Sequence, residues 1–347
     1  MTDKDFCLSS YLAFRYIWKD GKDFCEGFQH KNFLPVESSM RIPVRDAKDI
    51  HFEIAKQIDK LYDKYENIGI LLSGGMDSAI LASYLKPKSH AYTFNSVSGV
   101  FNDDIHRAKM YCNKFHLQHH LIDITFDDYK EYTPIVMKTK FAPVHSIEPQ
   151  IYKAALCAKR DGVQLLLVGE SADLIFGGMD QLISREWMFD DFVKRYTFLN
   201  PNKVLTHPID MGELYEKYRL PNNKIDYMRF MDEVFSIESS SSYMNAFGAA
   251  WMPYYDPYAQ LVMADPLDLK RVRNGEPKYL IRELFALKYP EIPIPYKIPM
   301  PRPVEMIFKD WDGPTRKEFK DNISMNELTG NQKWQLWCAE YFLNLFS

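Results

Sequence analysis

Cysteine is scarce in this 347-residue chain: Cys7, Cys25, Cys112, Cys157 and Cys338 are the five, with no C-x-x-C pair and no regular spacing. That argues against a disulfide framework or a cysteine-built zinc site, and the pattern reads as core thiols of a reducing compartment. A basic block is lacking too. The 43 Lys and Arg face 47 Asp and Glu, a formal charge of −4, so nucleic acid is not a partner that the charge favours. No uninterrupted apolar stretch is long enough to span a bilayer, and the opening MTDKDFCLSSYLAF lacks the basic and apolar regions of a signal peptide. The expected location is cytoplasmic, with no membrane partner. Internal repeats are absent, and the serine run at 239–242 is too short for low complexity, reading as a loop or helix start. Neither G-x-x-x-x-G-K-S/T nor G-x-G-x-x-G occurs, so any phosphate site must be of another kind.

Such a site is suggested by IGILLSGGMDSAILASYL, residues 68–85. Ile68, Ile70, Leu71 and Leu72 form the apolar run of a strand covered on both faces, and Asp77 through Leu85 are good helix formers. Ser73-Gly74-Gly75 is then a strand-to-helix turn. Its glycines let backbone N–H groups approach a bulky anion, the helix start adds partial positive charge, and Ser73 and Ser78 offer hydroxyl donors. Asp77 would repel a bare phosphate, and makes sense where Mg²⁺ bridges the two. The alternative is an ordinary turn with a capped helix.

Residues 46–64 carry Ile50, Ile54, Ile58, Leu61 and Tyr62 at helical spacing. Strand-like runs follow at 90–97, 119–124 and 163–169, with helical patterns at 103–116 and 148–160 between them. This alternation predicts an α/β fold with a mostly parallel, doubly wound sheet. Beyond 180 the chain reads as mainly helical, with helices in LISREWMFDDFVKRY, KYLIRELFALKY and NQKWQLWCAEYFLNLF and proline-rich connections at 290–303. The 22 Tyr and 23 Phe suit a large helical layer with half-buried phenols. The run VQLLLVG leads into Glu170-Ser171-Ala172-Asp173 and, four residues later, Gly177-Gly178. Acids just past a strand's carboxyl end sit where open α/β sheets collect ligands. Asp77 and Asp173 could hold Mg²⁺ on phosphates from two sides, leaving Glu170 for proton transfer or for orienting a nucleophile. The alternative is a polar loop with two solvated acids.

Together these stretches resemble a known family. SGGMDS is similar to the SGGxDS pyrophosphate loop of the ATP pyrophosphatases, and VGESADLIFGG resembles the SGEGxDELFGG segment of the asparagine synthetase family. Downstream, YYDPYAQLVMADPLDLK (254–270), PKYLIREL (277–284) and PYKIPMPRP (295–303) resemble further family segments, and residues 9–29 look like the connector that leads into the synthetase domain. The resemblance implies an adenine nucleotide α-hydrolase-like fold, with a connector-like segment at 1–45 and a synthetase domain at 46–347. It also implies ATP and Mg²⁺, and an enzyme that adenylates a small-molecule carboxylate, releases pyrophosphate and passes the acyl group to ammonia or an amine. Ser73, Gly74, Gly75, Asp77, Ser78 and Gly169 would then contact ATP, and Asp77 and Asp173 would take Mg²⁺. Glu170 holds the catalytic carboxylate position, Lys278 the lysine position that neutralises charge during the reaction, and Lys297 that of a basic residue near pyrophosphate. On the residues alone, a lysine in the first turn of an amphipathic helix, as Lys278 is, reads as a solvated one. The cluster His116, His119 and His120 lacks companions at ligand spacing and reads as ordinary.

The chain departs from the family in two ways. Thr2 stands where a complete asparagine synthetase exposes a glutaminase cysteine, and about forty residues leave no room for that domain; the expected nitrogen source is ammonia, an amine or a separate glutaminase subunit. Ala142, Leu174, Ser240, Ser241, Ala249 and Trp251 replace charged family positions, which counts against aspartate as the acid, with His145 and Glu148 nearby as compensating groups. Short family members suggest a glycan or secondary-metabolite acid. The competing expectations are an ammonia-dependent asparagine synthetase, an RNA-modifying ATP pyrophosphatase and a non-catalytic partner of a separate glutaminase.

Overall fold

The computed structural model describes residues 2–96, 102–295 and 302–346. Among the described residues the strands are Ile42–Val44 (β1), Ile68–Leu71 (β2), His90–Ser96 (β3), Gln118–Ile124 (β4), Leu165–Leu167 (β5), Tyr254–Tyr255 (β6) and Leu261–Met263 (β7). β2 to β6 form one parallel sheet in the order β4-β3-β2-β5-β6, and β1 pairs in parallel with β7. β2 and β5 are buried at every residue, which is why they read as continuous apolar runs. The chain winds outward through β3 and β4 on one side, then returns to β5 and β6 on the other. The winding therefore reverses between β2 and β5, and the crevice at their carboxyl ends is where such sheets bind ligands.

Helices cover both faces of this parallel sheet: Ala47–Tyr62 (α2) and Met76–Ala82 (α3), Asn102–Phe115 (α4), Phe126–Lys140 (α5) and Glu148–Arg160 (α6), preceded in the chain by Lys4–Phe14 (α1). The Asp46 side chain caps α2, accepting from the Lys48 and Asp49 N–H groups at 2.8 and 2.9 Å, while Ile50, Ile54 and Ile58 supply its buried face. α5 follows a capping box built by Thr125 and Asp128 and tolerates Pro134 in its interior. It is packed against α6 and the helix Ser236–Ala249, where the Asn245 amide donates to Val136 O at 2.9 Å and to Glu148 Oε2 at 2.6 Å.

The later half is mainly helical, as the sequence predicts, with Phe189–Tyr196, Ser236–Ala249, Tyr279–Lys288 and Gly330–Phe346 as its longer helices. The single helix expected over LISREWMFDDFVKRY is broken into Asp180–Ile183 and Phe189–Tyr196. Trp187 turns inward at the break and donates from its indole N–H to Leu182 O at 2.7 Å. Aromatic side chains fill this layer; the Phe230 ring lies 4.6 Å from that of Tyr196 and 5.3 Å from that of Tyr215. α1 belongs to the same core: the carbonyls of Leu12 and Ala13 each accept a backbone N–H, from Leu199 and Phe198, at 3.0 Å. All five cysteines are free. No helix among the described residues is long and apolar enough to cross a membrane.

Candidate active site

The turn after β2 is held by its own hydroxyls. Ser78 Oγ accepts the Ser73 N–H at 3.1 Å and lies 3.0 Å from Ser73 Oγ, which accepts the Gly75 N–H at 3.3 Å. Gly74 has φ +78°, and a Cβ there would stand 2.5 Å from the Asp104 carbonyl oxygen, so only glycine fits. The Arg107 guanidinium donates to Gly74 O at 3.2 Å and to Asp104, tying the outer side of the loop to α4. A loop with no room for a side chain, made of glycine N–H groups and two hydroxyls, fits the phosphates of a nucleotide.

Facing it across the switch point is Ala172–Ile175 (α7), a single helical turn that carries Asp173. Lys278 lies between the two loops. Its ammonium donates to Asp77 Oδ1 and Oδ2 at 2.6 and 2.5 Å and to Asp173 Oδ1 at 3.0 Å, and the residue is 4% exposed. Burial works against the charge, but the Asp77 and Asp173 carboxylates outweigh it and hold the lysine pKa above its ordinary value. Lys278 adopts φ +56° ahead of the helix Tyr279–Lys288, which packs on α2 and α3. Gly178 makes the junction possible: a Cβ would lie 2.1 Å from Asp173 Oδ1 and 2.4 Å from Lys278 Cδ. One cation thus reaches both acids, and this donor set of carboxylate oxygens beside a phosphate-sized loop also fits Mg²⁺.

Glu170 follows β5, and its neighbours set its chemistry. Ser171 Oγ donates to Glu170 Oε2 at 3.2 Å, and Ser239 Oγ donates to Oε1 from the helix Ser236–Ala249. Enclosure, then the nearby Asp256 charge, push the Glu170 pKa up to about 8 against these two bonds. Asp256 itself is pushed up to about 6 by burial, although it accepts the N–H groups of Ser171 at 2.8 Å and Tyr258 at 3.0 Å. The Tyr258 hydroxyl donates to Asp77 O at 3.0 Å and so joins the two loops. Gly169 lies against Asp77 and Tyr258: a Cβ there would be 3.2 Å from Asp77 Cβ and 3.3 Å from Tyr258 Cε2.

The structure therefore brings Ser73, Gly74, Gly75, Asp77, Ser78, Gly169, Glu170, Asp173 and Lys278 to one crevice. Lys297 lies outside the described residues. Sequence reasoning missed Asp256, Tyr258 and Ser239. The first two stand inside the YYDPYAQ stretch, whose half-buried, two-residue strand β6 leaves no local pattern; Ser239 stands in a serine run that gives no signal of its own.

A cavity of about 220 Å³ opens beside Glu170, bounded by β6, residues 34–36 and the helix Ser236–Ala249. Of the positions that depart from the family, Leu174 and Ser240 line it. Ala142 is in the core, Ser241 donates to Phe33 O at 3.2 Å, and Trp251 is on the surface, 87% exposed. The proposed compensating groups are engaged elsewhere. Glu148 is fully buried, 3.5 Å from Lys140 Nζ and bonded to Asn245, and His145 Nε2 lies 3.2 Å from an Arg15 nitrogen. The histidines at 116–120 also part company: His119 Nε2 pairs with Thr93 Oγ1 at 2.9 Å, while His120 meets His90 at 2.9 Å and Asp161 at 3.9 Å.

A parallel α/β sheet thus carries a glycine turn, paired acids and a bridging lysine at its switch point. The chain belongs to the asparagine synthase family, whose family model matches residues 54–229. It is similar to NMN synthetase from Francisella tularensis, at 14% identity over 60% of this chain and 94% of that one, with a TM-score of 0.29. It is also similar to the U34-tRNA thiolase NcsA from Methanococcus maripaludis, at 13% identity over 73% of this chain and 82% of that one, with a TM-score of 0.28. A search of curated proteins gave no match.

Proposed function

We propose that this protein is a Mg²⁺- and ATP-dependent amide ligase that adenylates a carboxylate, releases pyrophosphate and transfers the acyl group to ammonia or an amine. The observation that carries the reading is the Lys278 ammonium held between Asp77 and Asp173, with the enclosed Glu170 on the neighbouring loop. A carboxylate is a poor electrophile, and activation needs positive charge where the phosphates separate. Lys278 remains protonated at neutral pH because its two acids hold it so. The Ser73–Ser78 loop would cradle phosphates, and Asp77 and Asp173 would hold Mg²⁺, which supplies further charge neutralisation when bound. Glu170, with its pKa near 8, is suited to take a proton from the attacking nitrogen.

The first assay uses purified protein with Mg-ATP, ammonium and aspartate, scoring asparagine, AMP and pyrophosphate. Leu174 and Ser240, the two departures from the family that line the cavity beside Glu170, lead us to expect no asparagine, and turnover with another acid. Asparagine and AMP in equal amounts would instead support the second reading, an ammonia-dependent asparagine synthetase. Carboxylate-dependent pyrophosphate release that survives Asp77→Asn and Lys278→Ala would overturn both.

A further inference from the structure

The cavity beside Glu170 bears on the nitrogen donor. Its wall includes Glu170 and Asp256, yet among the described residues it includes nothing from the Ser73–Ser78 turn, nor Asp173 or Lys278. It thus lies on the side of Glu170 away from the phosphate-binding groups. The group that loses a proton to Glu170 must come within hydrogen-bond reach of that carboxyl. In amide formation that group is the nucleophile's nitrogen.

The remaining wall is mostly apolar. Leu34, Leu174, Ile175, Met244 and Ala259 line it, with the rings of Tyr243 and Tyr254. Ammonia needs no such space, whereas an apolar or aromatic body gains roughly 25 cal/mol for each Å² removed from water. Arg41 also borders the cavity; its side chain is 6% exposed and its nearest carboxylate, Asp232, is 3.9 Å away. Its Nε and a terminal nitrogen donate to Val36 O at 3.0 and 2.7 Å, a neutral acceptor, so its positive charge disfavours a second cationic group on the ligand.

We propose that this cavity is the binding site for an organic monoamine with an apolar or aromatic body, which acts as the nucleophile in place of free ammonia. The proposal rests on the amide-ligase reading above. The amine nitrogen forms a bond to the acyl carbon, the bond from that carbon to the AMP oxygen breaks, and AMP leaves with the electron pair. The proton released from nitrogen passes to Glu170.

The test is binding of 2-phenylethylamine to the full chain, with and without Mg-ATP, by ligand-observed NMR and thermal shift. Its comparators are 3-phenylpropanoate, ammonium chloride and 1,5-diaminopentane. The expected result is binding of 2-phenylethylamine at least about tenfold tighter than each comparator. Met244→Trp and Ala259→Leu, each of which fills the cavity, should weaken it about tenfold or more and leave Mg-ATP binding intact. Preference for 3-phenylpropanoate would make the cavity an acid site, and no binding of any probe would remove the site; either overturns the proposal. Because the wild-type arms decide by themselves, a variant that fails to fold does not blunt the test. Absence of pyrophosphate release with every acid would strike the ligase reading instead, and leaves these binding results readable.

Discussion

Lys278 and Asp77 lie 201 residues apart in the chain and meet with both carboxylate oxygens within 2.6 Å of one ammonium. The contact joins the turn after β2 to the helix Tyr279–Lys288, and Asp173 closes it from the third side at 3.0 Å. Removing the lysine leaves two acids facing each other without their cation. Lys278→Ala should therefore lower carboxylate-dependent pyrophosphate release by roughly a hundredfold to a thousandfold. Steady-state kinetics on a folded variant checks it.

Glu170 should give the pH profile its rising limb. With a pKa near 8, activity in the amide-forming step should climb about tenfold per unit below that value and level off above it. Ser239 donates to the charged form and so lowers this pKa. Ser239→Ala should move the limb to higher pH, a shift that mere loss of stability would not produce. Glu170→Gln should abolish the limb and cost roughly a hundredfold or more in rate.

The same groups set a stability trend. Glu170 and Asp256 have folded-state pKa values above their ordinary 4.5 and 3.8, so the folded chain holds protons that the unfolded chain has lost. Their contribution is fully present below the ordinary values. It is lost as pH rises through about 6 for Asp256 and about 8 for Glu170. Glu170→Gln should flatten the fall in melting temperature between pH 5 and 9, measured by calorimetry.

Gly74 tests the phosphate turn. At φ +78° with a backbone oxygen 2.5 Å from any added Cβ, Gly74→Ala must displace the loop or α4. The expected cost is about 2 kcal/mol of stability, with weakened ATP binding, read by denaturant unfolding and by nucleotide titration.

The buried Lys140 and Glu148 pair should prove structural. Lys140→Met leaves Glu148, which is inaccessible to solvent, without its cation, and should destabilise the fold by about 3–5 kcal/mol. Chemical denaturation checks this, and any protein that stays folded should keep its substrate preference.

How much was legible depended on the range of the signal. Ile68–Leu71 and the Ile50, Ile54, Ile58 face of α2 declared themselves because strand and helix burial leave a local period. α5 hid behind Pro134, which reads as a helix breaker although the structure accommodates it. β6 is two residues long and gains its place only by pairing with β5, a partner nearly ninety residues earlier. In the site, the glycines and acids that follow β2 and β5 could be read, since their chemistry is local to two turns. Ser239 could not be read as a partner of Glu170, because that contact exists only once the helix Ser236–Ala249 has packed. Trp251 shows the converse: a departure that looked relevant to substrate proves to be on the surface.

The most direct measurement follows oxygen. The protein is supplied with Mg-ATP, an amine and ammonium mixture, and a panel of carboxylates labelled with oxygen-18, and the nucleotide products are weighed by mass spectrometry. Adenylation requires that one labelled oxygen end in AMP, with pyrophosphate released in equal amount and the signal lost in Asp77→Asn. Unlabelled AMP, or label in inorganic phosphate together with ADP, would contradict carboxylate adenylation at this site.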